Sequence, residues 1–271
     1  MTPSTLFTNT ASRYHLFVSP ACPFCHRVLV ALALTQQSNH FSYSWVDDIK
    51  REKGWKIAAD DDRYAGKHMR EIYTALAPQE THRPAVPLLI DPDAQEILST
   101  SSAEMVRFIG QGFGGRNTVP VALSPNGLTK EIDQLNAQIH KDINRAVYNV
   151  GSATEQLIYE KNVAQLFDAL DDMEIRLGMS KFIFGDTITE SDLFLFTTLL
   201  RFDPVYYLLF KCSAKRISDY KNLSRYLKRL INVPAIAETI KMDNIKTHYF
   251  KSLIHIGDGA LNLNPSGIVP V

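Results

Sequence analysis

The stretch "SPACPFCHRVLVALAL", residues 19–34, follows the short apolar run "RYHLFV" (13–18) and turns at once into a helical pattern. It places Cys22 and Cys25 three residues apart at a strand-to-helix junction, with Pro23 at the first turn, where a missing N–H costs nothing. Three readings are open: a dithiol redox centre, one reactive thiolate with an incidental neighbour, or two small apolar helix residues. Position separates the two sulfurs. The amides and dipole of a helix start favour an anion, so a thiolate at Cys22 is stabilised and its pKa falls from about 8.5 toward neutrality. His26 and Arg27 are expected to add positive potential. Cys25 lies one turn further in, without that advantage.

Composition narrows the setting. The chain has 271 residues, enough for two medium domains. Its 29 basic and 29 acidic side chains balance, so there is no net positive field to gather nucleic acid. Runs such as "VLVALAL" and "LFLFTTLL" fall far short of the roughly 18 residues that cross a bilayer, and no basic-then-apolar leader opens the sequence. Three cysteines, the third being Cys212, are too few for a disulfide framework and suit a reducing compartment. The expectation is a soluble cytoplasmic protein without nucleic-acid or membrane partners and without a metal.

Working outward, short strand-like runs alternate with helical ones up to about residue 111. "RYHLFV", a helix over Pro23–Leu34, "FSYSWV" (41–46), "VPLLID" (86–91) and "EILST" (96–100), with a helix over Ser102–Gly110, give β-α-β followed by a hairpin and a helix. Residues 47–78 are polar and hold one candidate helix, Gly66–Leu76, as an insertion. "GQGFGGRNTVPVALSPNG" (110–127), with five glycines and two prolines, has the composition of a linker. From Leu128 the apolar residues recur at three and four through "LTKEIDQLNAQIHKDINRAVYNV" and "QLIYEKNVAQLFDALDDMEIRLG", where Gly178 is placed to end a helix. The expected fold is therefore an α/β N-terminal domain (1–111), a linker (112–127) and an all-α bundle (128–271) with an extended C-terminal tail.

Two more features bear on the site. In "RPAVPLLI" (83–90), Pro87 stands where a strand begins, which fits either an ordinary trans proline or a cis turn that presents the Val86 backbone to an extended ligand. In "STSSAEMVRF" (99–108), serines precede a helix with Glu104 in its first turn. That pattern caps a helix, and it also forms a carboxylate site of hydroxyls and amides.

The order of these elements resembles the cytosolic glutathione transferases: a thiol at the first helix, Val-Pro before a strand, serines at the next helix and an all-helical second half. Within that family the resemblance is to the glutathionyl-hydroquinone reductases of the Xi class. It is carried by "RYHLFVSPACPFCHR", "GW" at 54–55, "VPLLID", "INRAVYNVG", "FIFGDTITESDLFLFTTLLRFDPVYYLLFKC", "YKNLSRYLKRL", "IKTHYF" and "NPSGIVPV". The resemblance implies a thioredoxin-like glutathione-binding domain, glutathione as co-substrate, an aromatic hydroquinone-type second substrate and a homodimer. It implies Cys22 as nucleophile, Tyr148 as proton donor, and Tyr206 and Tyr249 as hydroxyls directed at the thiol. Phe24, Trp55, Arg83, Val86, Pro87, Ser101 and Ser102 would hold glutathione, Ser102 receiving the γ-glutamyl carboxylate. Each tyrosine and Trp55 also has an ordinary packing explanation.

Residue type suggests the chemistry. A thiolate attacks a sulfur that carries an acceptable leaving group, whereas a hydroxyl serves better to activate bound glutathione, so cysteine points to glutathione removal. Phe202, Tyr207 and Phe210 would supplement an aromatic pocket. Three departures from the class pattern stand out. Cys-Pro-Phe-Cys replaces Cys-Pro-Trp-Ala, which makes Cys25 a candidate resolving thiol. Ser101 occupies a position usually acidic, removing one charged contact to the glutathione amine. The first strand also lies close to the start of the sequence. Two alternatives stay open: an omega-like or glutaredoxin-like thioltransferase or dehydroascorbate reductase using Cys22 and Cys25, and a non-enzymatic ligand-binding module on the same scaffold.

Overall fold

The computed structural model describes residues 14–79, 83–112 and 119–252. The "NPSGIVPV" ending and residues 113–118 of the expected linker lie outside the described residues. The described residues divide into two compact units, one holding those up to Val121 together with residues 238–252, the other Ala122–Ala237.

The first unit is built on four strands in the order β2-β1-β3-β4. β1 (Tyr14–Val18) runs parallel to β2 (Phe41–Trp45), and their connection carries α1 (Pro23–Leu34). A parallel pair requires such a crossover. β3 (Leu88–Asp91) returns antiparallel to β1, and β4 (Glu96–Ser99) closes a hairpin on β3. That hairpin turns because Asp91 Oδ1 accepts the N–H groups of Asp93 and Ala94 at 3.1 and 3.0 Å, with Gln95 in the left-handed region at φ 55°. α3 (Ser102–Gly110) packs against α1. α1 is buried at every position except Phe24, as befits a helix apolar nearly all round.

In the insertion, the helix is α2 (Met69–Leu76), shorter than the Gly66–Leu76 expected from periodicity. Gly66 sits at φ 73°, outside helical space, and His68 is the N-cap, its N–H donating to Glu71 Oε2 at 2.7 Å.

The second unit is helical: α4 (Thr129–Ile139), α5 (Ala146–Ser152), α6 (Gln156–Met179), α7 (Glu190–Arg201) and α8 (Lys221–Ile231). The periodic run 128–150 is two helices joined by a π-turn over His140–Asn144, where Arg145 N–H reaches back to His140 O at 2.9 Å. Asn144 uses that turn to donate from Nδ2 to Phe194 O and Thr198 Oγ1, both at 2.8 Å. A second π-turn, Phe202–Tyr206, follows α7 and contains Pro204, which has no N–H and crowds the carbonyl four residues back, so an α-helical register cannot continue. Gly178 does not end α6, which continues to Met179; its missing Cβ leaves room for Asn222 Nδ2, which an added carbon would meet at 3.0 Å.

One helix departs from the sequence grouping. α9 (Met242–Lys251), read from sequence as part of the helical half, belongs with the first unit. The reason is local. Asn244 Nδ2 donates to both carboxylate oxygens of Asp48 at 2.9 and 2.8 Å, His248 Nδ1 donates to Asp48 O at 2.7 Å, and Lys50 N–H donates to Ser252 Oγ at 2.9 Å. Among the described residues no helix is long and apolar enough to cross a membrane.

Candidate active site

Cys22 is the N-cap of α1, with extended backbone at φ −70° and ψ 125°, and its carbonyl accepts the first intrahelical bond from His26 N–H at 2.9 Å. Its thiol is 9 % exposed and contacts Val86 O at 3.8 Å. The Val86–Pro87 peptide is cis, the second of the two arrangements that the sequence allows. Cys25 is fully buried, and its Sγ accepts Ser19 N–H at 3.4 Å. The two residues therefore differ in burial, Cys25 being completely enclosed and Cys22 slightly exposed at the helix mouth. All three cysteines are thiols, and burial pushes that of Cys212 far up, out of reach of ionisation at ordinary pH.

The two cations expected beside Cys22 each have a partner of their own. His26 is buried and bonded through Nε2 to Thr239 Oγ1 at 2.9 Å, while the Arg27 guanidinium lies 4.8 Å over the Phe24 ring. Lys50 is a further cation in the field of Cys22. Burial, then the charge of Arg83, lower its pKa, and the Cys22 thiolate raises it, which places Lys50 in the field of both. Lys50 Nζ also lies 5.7 Å over the ring of Trp55. Trp55 is 7 % exposed and stacks on His248 at 4.9 Å and 19°. Tyr249, the next residue on α9, is buried and meets His248 edge-on at 5.1 Å. Val86 thus lies at Cys22 and Lys50 within its field, while Lys50 leads on to Arg83 and to Trp55 with its partner His248; Lys50 and His248 are two residues that the sequence reading missed. A basic residue followed five positions later by a tryptophan was the only available signal for Lys50.

At the start of α3 the two serines divide the work. Ser101 is the N-cap, its Oγ accepting Glu104 N–H at 3.3 Å, and Ser102 opens the helix half-buried. Ser99 Oγ donates to Glu104 at 2.7 Å and accepts Ser101 N–H at 3.0 Å, fixing the entry. By position the Ser102 and Ala103 amides lack intrahelical acceptors, so the hydroxyl of Ser102 and the helix start together suit a carboxylate.

In the second unit, Tyr148 and Tyr206 are neighbours. Their rings lie 6.0 Å apart, and Phe210 stacks on Tyr206 at 5.3 Å and 23° and tilts against Tyr148 at 5.4 Å. Tyr148 is half-buried; Tyr206 is fully buried. Gly151 makes room beneath Phe210, whose Cγ an added Cβ would meet at 2.5 Å. Phe202 meets Tyr206 edge-on at 6.4 Å, completing the cluster. Tyr207 stands apart, its ring under the Arg216 guanidinium at 4.9 Å.

Comparison with known proteins fits this arrangement. Residues 156–229 match the family described as glutathione S-transferase, C-terminal domain. The glutathionyl-hydroquinone reductase YqjG of Escherichia coli K12 is 36% identical over 271 residues, covering 98% of this chain and 80% of its own, and its glutathione-bound structure superimposes with a TM-score of 0.84 over 96% of this chain and 84% of that one. Glutathionyl-hydroquinone reductase PcpF of Sphingobium chlorophenolicum is 37% identical, covering 98% of this chain and 84% of its own. A Xi-class glutathione transferase structure from Natrialba magadii is 35% identical with a TM-score of 0.85, covering 95% of this chain and 85% of that one.

Proposed function

Because this chain belongs to the glutathione transferase family, among its Xi-class glutathionyl-hydroquinone reductases, we propose that it removes glutathione from glutathionyl-hydroquinones. The observation that carries the reading is the Cys22 thiol at the mouth of α1, beside Val86 O and in the field of Lys50. Glutathione is the co-substrate. Val86 meets its peptide backbone, Arg83 and Lys50 meet a carboxylate, Trp55 covers it, and the start of α3 at Ser102 takes the γ-glutamyl carboxylate. Phe24, Pro87 and Ser101 shape the same cradle.

In the reaction the Cys22 thiolate attacks the sulfur of the conjugate. The sulfur–carbon bond breaks, its electron pair leaves with the aromatic carbon, and that carbon takes a proton assigned to Tyr148. Tyr206 and Tyr249 lend hydroxyl hydrogen bonds to the thiolate, each to a charged acceptor worth about 1.5–3 kcal/mol. The product is hydroquinone and a disulfide between Cys22 and glutathione. A glutathione thiolate then attacks the glutathione sulfur of that disulfide, releasing oxidised glutathione and restoring Cys22. The enzyme is proposed to work as a cytoplasmic homodimer.

Incubating the protein with glutathione and a glutathionyl-hydroquinone, and following hydroquinone release, tests this directly. Cys22→Ser is expected to abolish release while leaving the fold intact. Release retained in Cys22→Ser overturns the proposal.

A further inference from the structure

Cys25 is a buried nucleophilic group that the cycle above leaves unused. It sits at the third residue of α1, three positions after the N-cap Cys22. With a rise of 1.5 Å per residue and a radius of about 2.3 Å, residues so spaced lie about 5 Å apart at Cα, inside the roughly 4.4–6.8 Å window that a disulfide spans. The surroundings of Cys25 Sγ are polar on two sides. Ser19 N–H points at it from 3.4 Å, and it lies in the field of the Tyr73 hydroxyl, which donates to Ala85 O at 3.1 Å. The exposures order the pair: Cys22 is 9 % exposed and Cys25 fully buried, so Cys22 is the more open of the two to a substrate.

We propose that Cys25 is a resolving thiol, so that this protein completes its first half-reaction as a dithiol enzyme without a second glutathione. The proposal rests on the Cys22–glutathione disulfide of the function above. In the step, the Cys25 sulfur attacks Cys22 Sγ, the bond from Cys22 to the glutathione sulfur breaks, and glutathione leaves carrying the proton that Cys25 gives up. The protein is left with a Cys22–Cys25 disulfide, two electrons having passed from the two protein thiols to the substrate. Two glutathiones reopen it. The first attacks Cys22 Sγ and frees the Cys25 thiol; the second attacks the glutathione sulfur and leaves as oxidised glutathione. The overall stoichiometry is unchanged. What changes is the oxidised resting form and its independence of free glutathione at the first stage.

Reduced protein is mixed anaerobically with one equivalent of a glutathionyl-hydroquinone, with no added glutathione, and read by intact mass, peptide mapping and released glutathione. A parallel arm uses oxidised glutathione, which loads Cys22 without the hydroquinone chemistry. Wild type is expected to end as the Cys22–Cys25 disulfide, with one glutathione released per glutathionyl-hydroquinone and two per oxidised glutathione. Cys25→Ala and Cys25→Ser are expected to stop as the glutathione adduct of Cys22. A stable adduct on wild type, persisting as it does in either Cys25 variant, overturns the proposal while the hydroquinone reading stands. Absence of hydroquinone release in every protein overturns that reading instead, and the oxidised-glutathione arm still decides the fate of Cys25.

Discussion

Trp55 keeps its place through His248, and the consequence is measurable. His248 stacks on the indole at 4.9 Å and is itself oriented by donating from Nδ1 to Asp48 O at 2.7 Å. Such a ring pair is worth about 0.5–1.5 kcal/mol, a roughly 2- to 12-fold effect on an equilibrium. His248→Ala is therefore expected to raise the KM for glutathione by about that factor with little change in kcat. A matching fall in kcat with KM unchanged would show that His248 acts elsewhere. Tyr148→Phe is expected to do the opposite: removing one hydroxyl from a half-buried ring preserves its packing on Tyr206 and Phe210 and lowers kcat by about 10²-fold or more if the proton comes from it. The place of Cys22 at a helix start was legible in the sequence. Lys50 and His248 were not, because a lone lysine and a lone histidine acquire meaning only when the chain brings positions about 200 apart into one stack.

At the scale of elements, α7 depends on its first turn. Thr189 is the N-cap, and Asp192 returns a carboxylate to Thr189 N–H at 2.8 Å and Thr189 Oγ1 at 2.9 Å. The same carboxylate accepts Ile183 N–H at 3.0 Å and the Tyr226 hydroxyl at 2.9 Å, tying α7 to the preceding loop and to α8. Burial pushes the Asp192 carboxyl up, and these four donors pull it down. Asp192→Ala would strand several buried donors at once, so a loss of about 3–5 kcal/mol in unfolding free energy is expected from denaturant titration. Thr189→Ala removes a cap and one donor and should cost about 1–2 kcal/mol. Equal losses for the two would refute this division. Element types and most boundaries were readable from period and punctuation: α1 and α3 begin and end where Pro23, Leu34, Ser102 and Gly110 place them. The π-turns were not readable in full. Pro204 marks one, but His140–Asn144 contains no breaker, and its register follows from Asn144 reaching into α7.

At the scale of the whole molecule, the change of regime near residue 112 was visible as a shift in hydrophobic period, whereas the capture of α9 by the first unit was not, since an amphipathic helix does not say which surface it covers. The balanced composition has a physical consequence here. With 29 acidic and 29 basic side chains, little net self-repulsion acts near neutral pH, so stability below pH 7 responds first to individual buried groups. His15 is one. Its ring on β1 is 1 % exposed, bonds Ser42 Oγ at 2.7 Å and Ser44 Oγ at 2.9 Å on β2, and lies against Phe17 and Tyr64. Burial foremost, then the Arg63 charge, lower its pKa from 6.5 to about 4. In the unfolded chain the imidazole takes up a proton below about 6.5, while in the folded chain it stays neutral until about pH 4. The unfolded state thus binds more protons across that window, and stability must fall as pH drops through it. A shift of this size corresponds to at most about 3 kcal/mol, fully present above pH 6.5 and lost by pH 4. Urea titrations at pH 7.5, 6, 5 and 4 are the measurement. His15→Gln, which keeps a polar group between Ser42 and Ser44 but cannot titrate, is expected to be less stable at pH 7.5 and to lose less on acidification; a slope identical to that of wild type would assign the acid sensitivity to other groups.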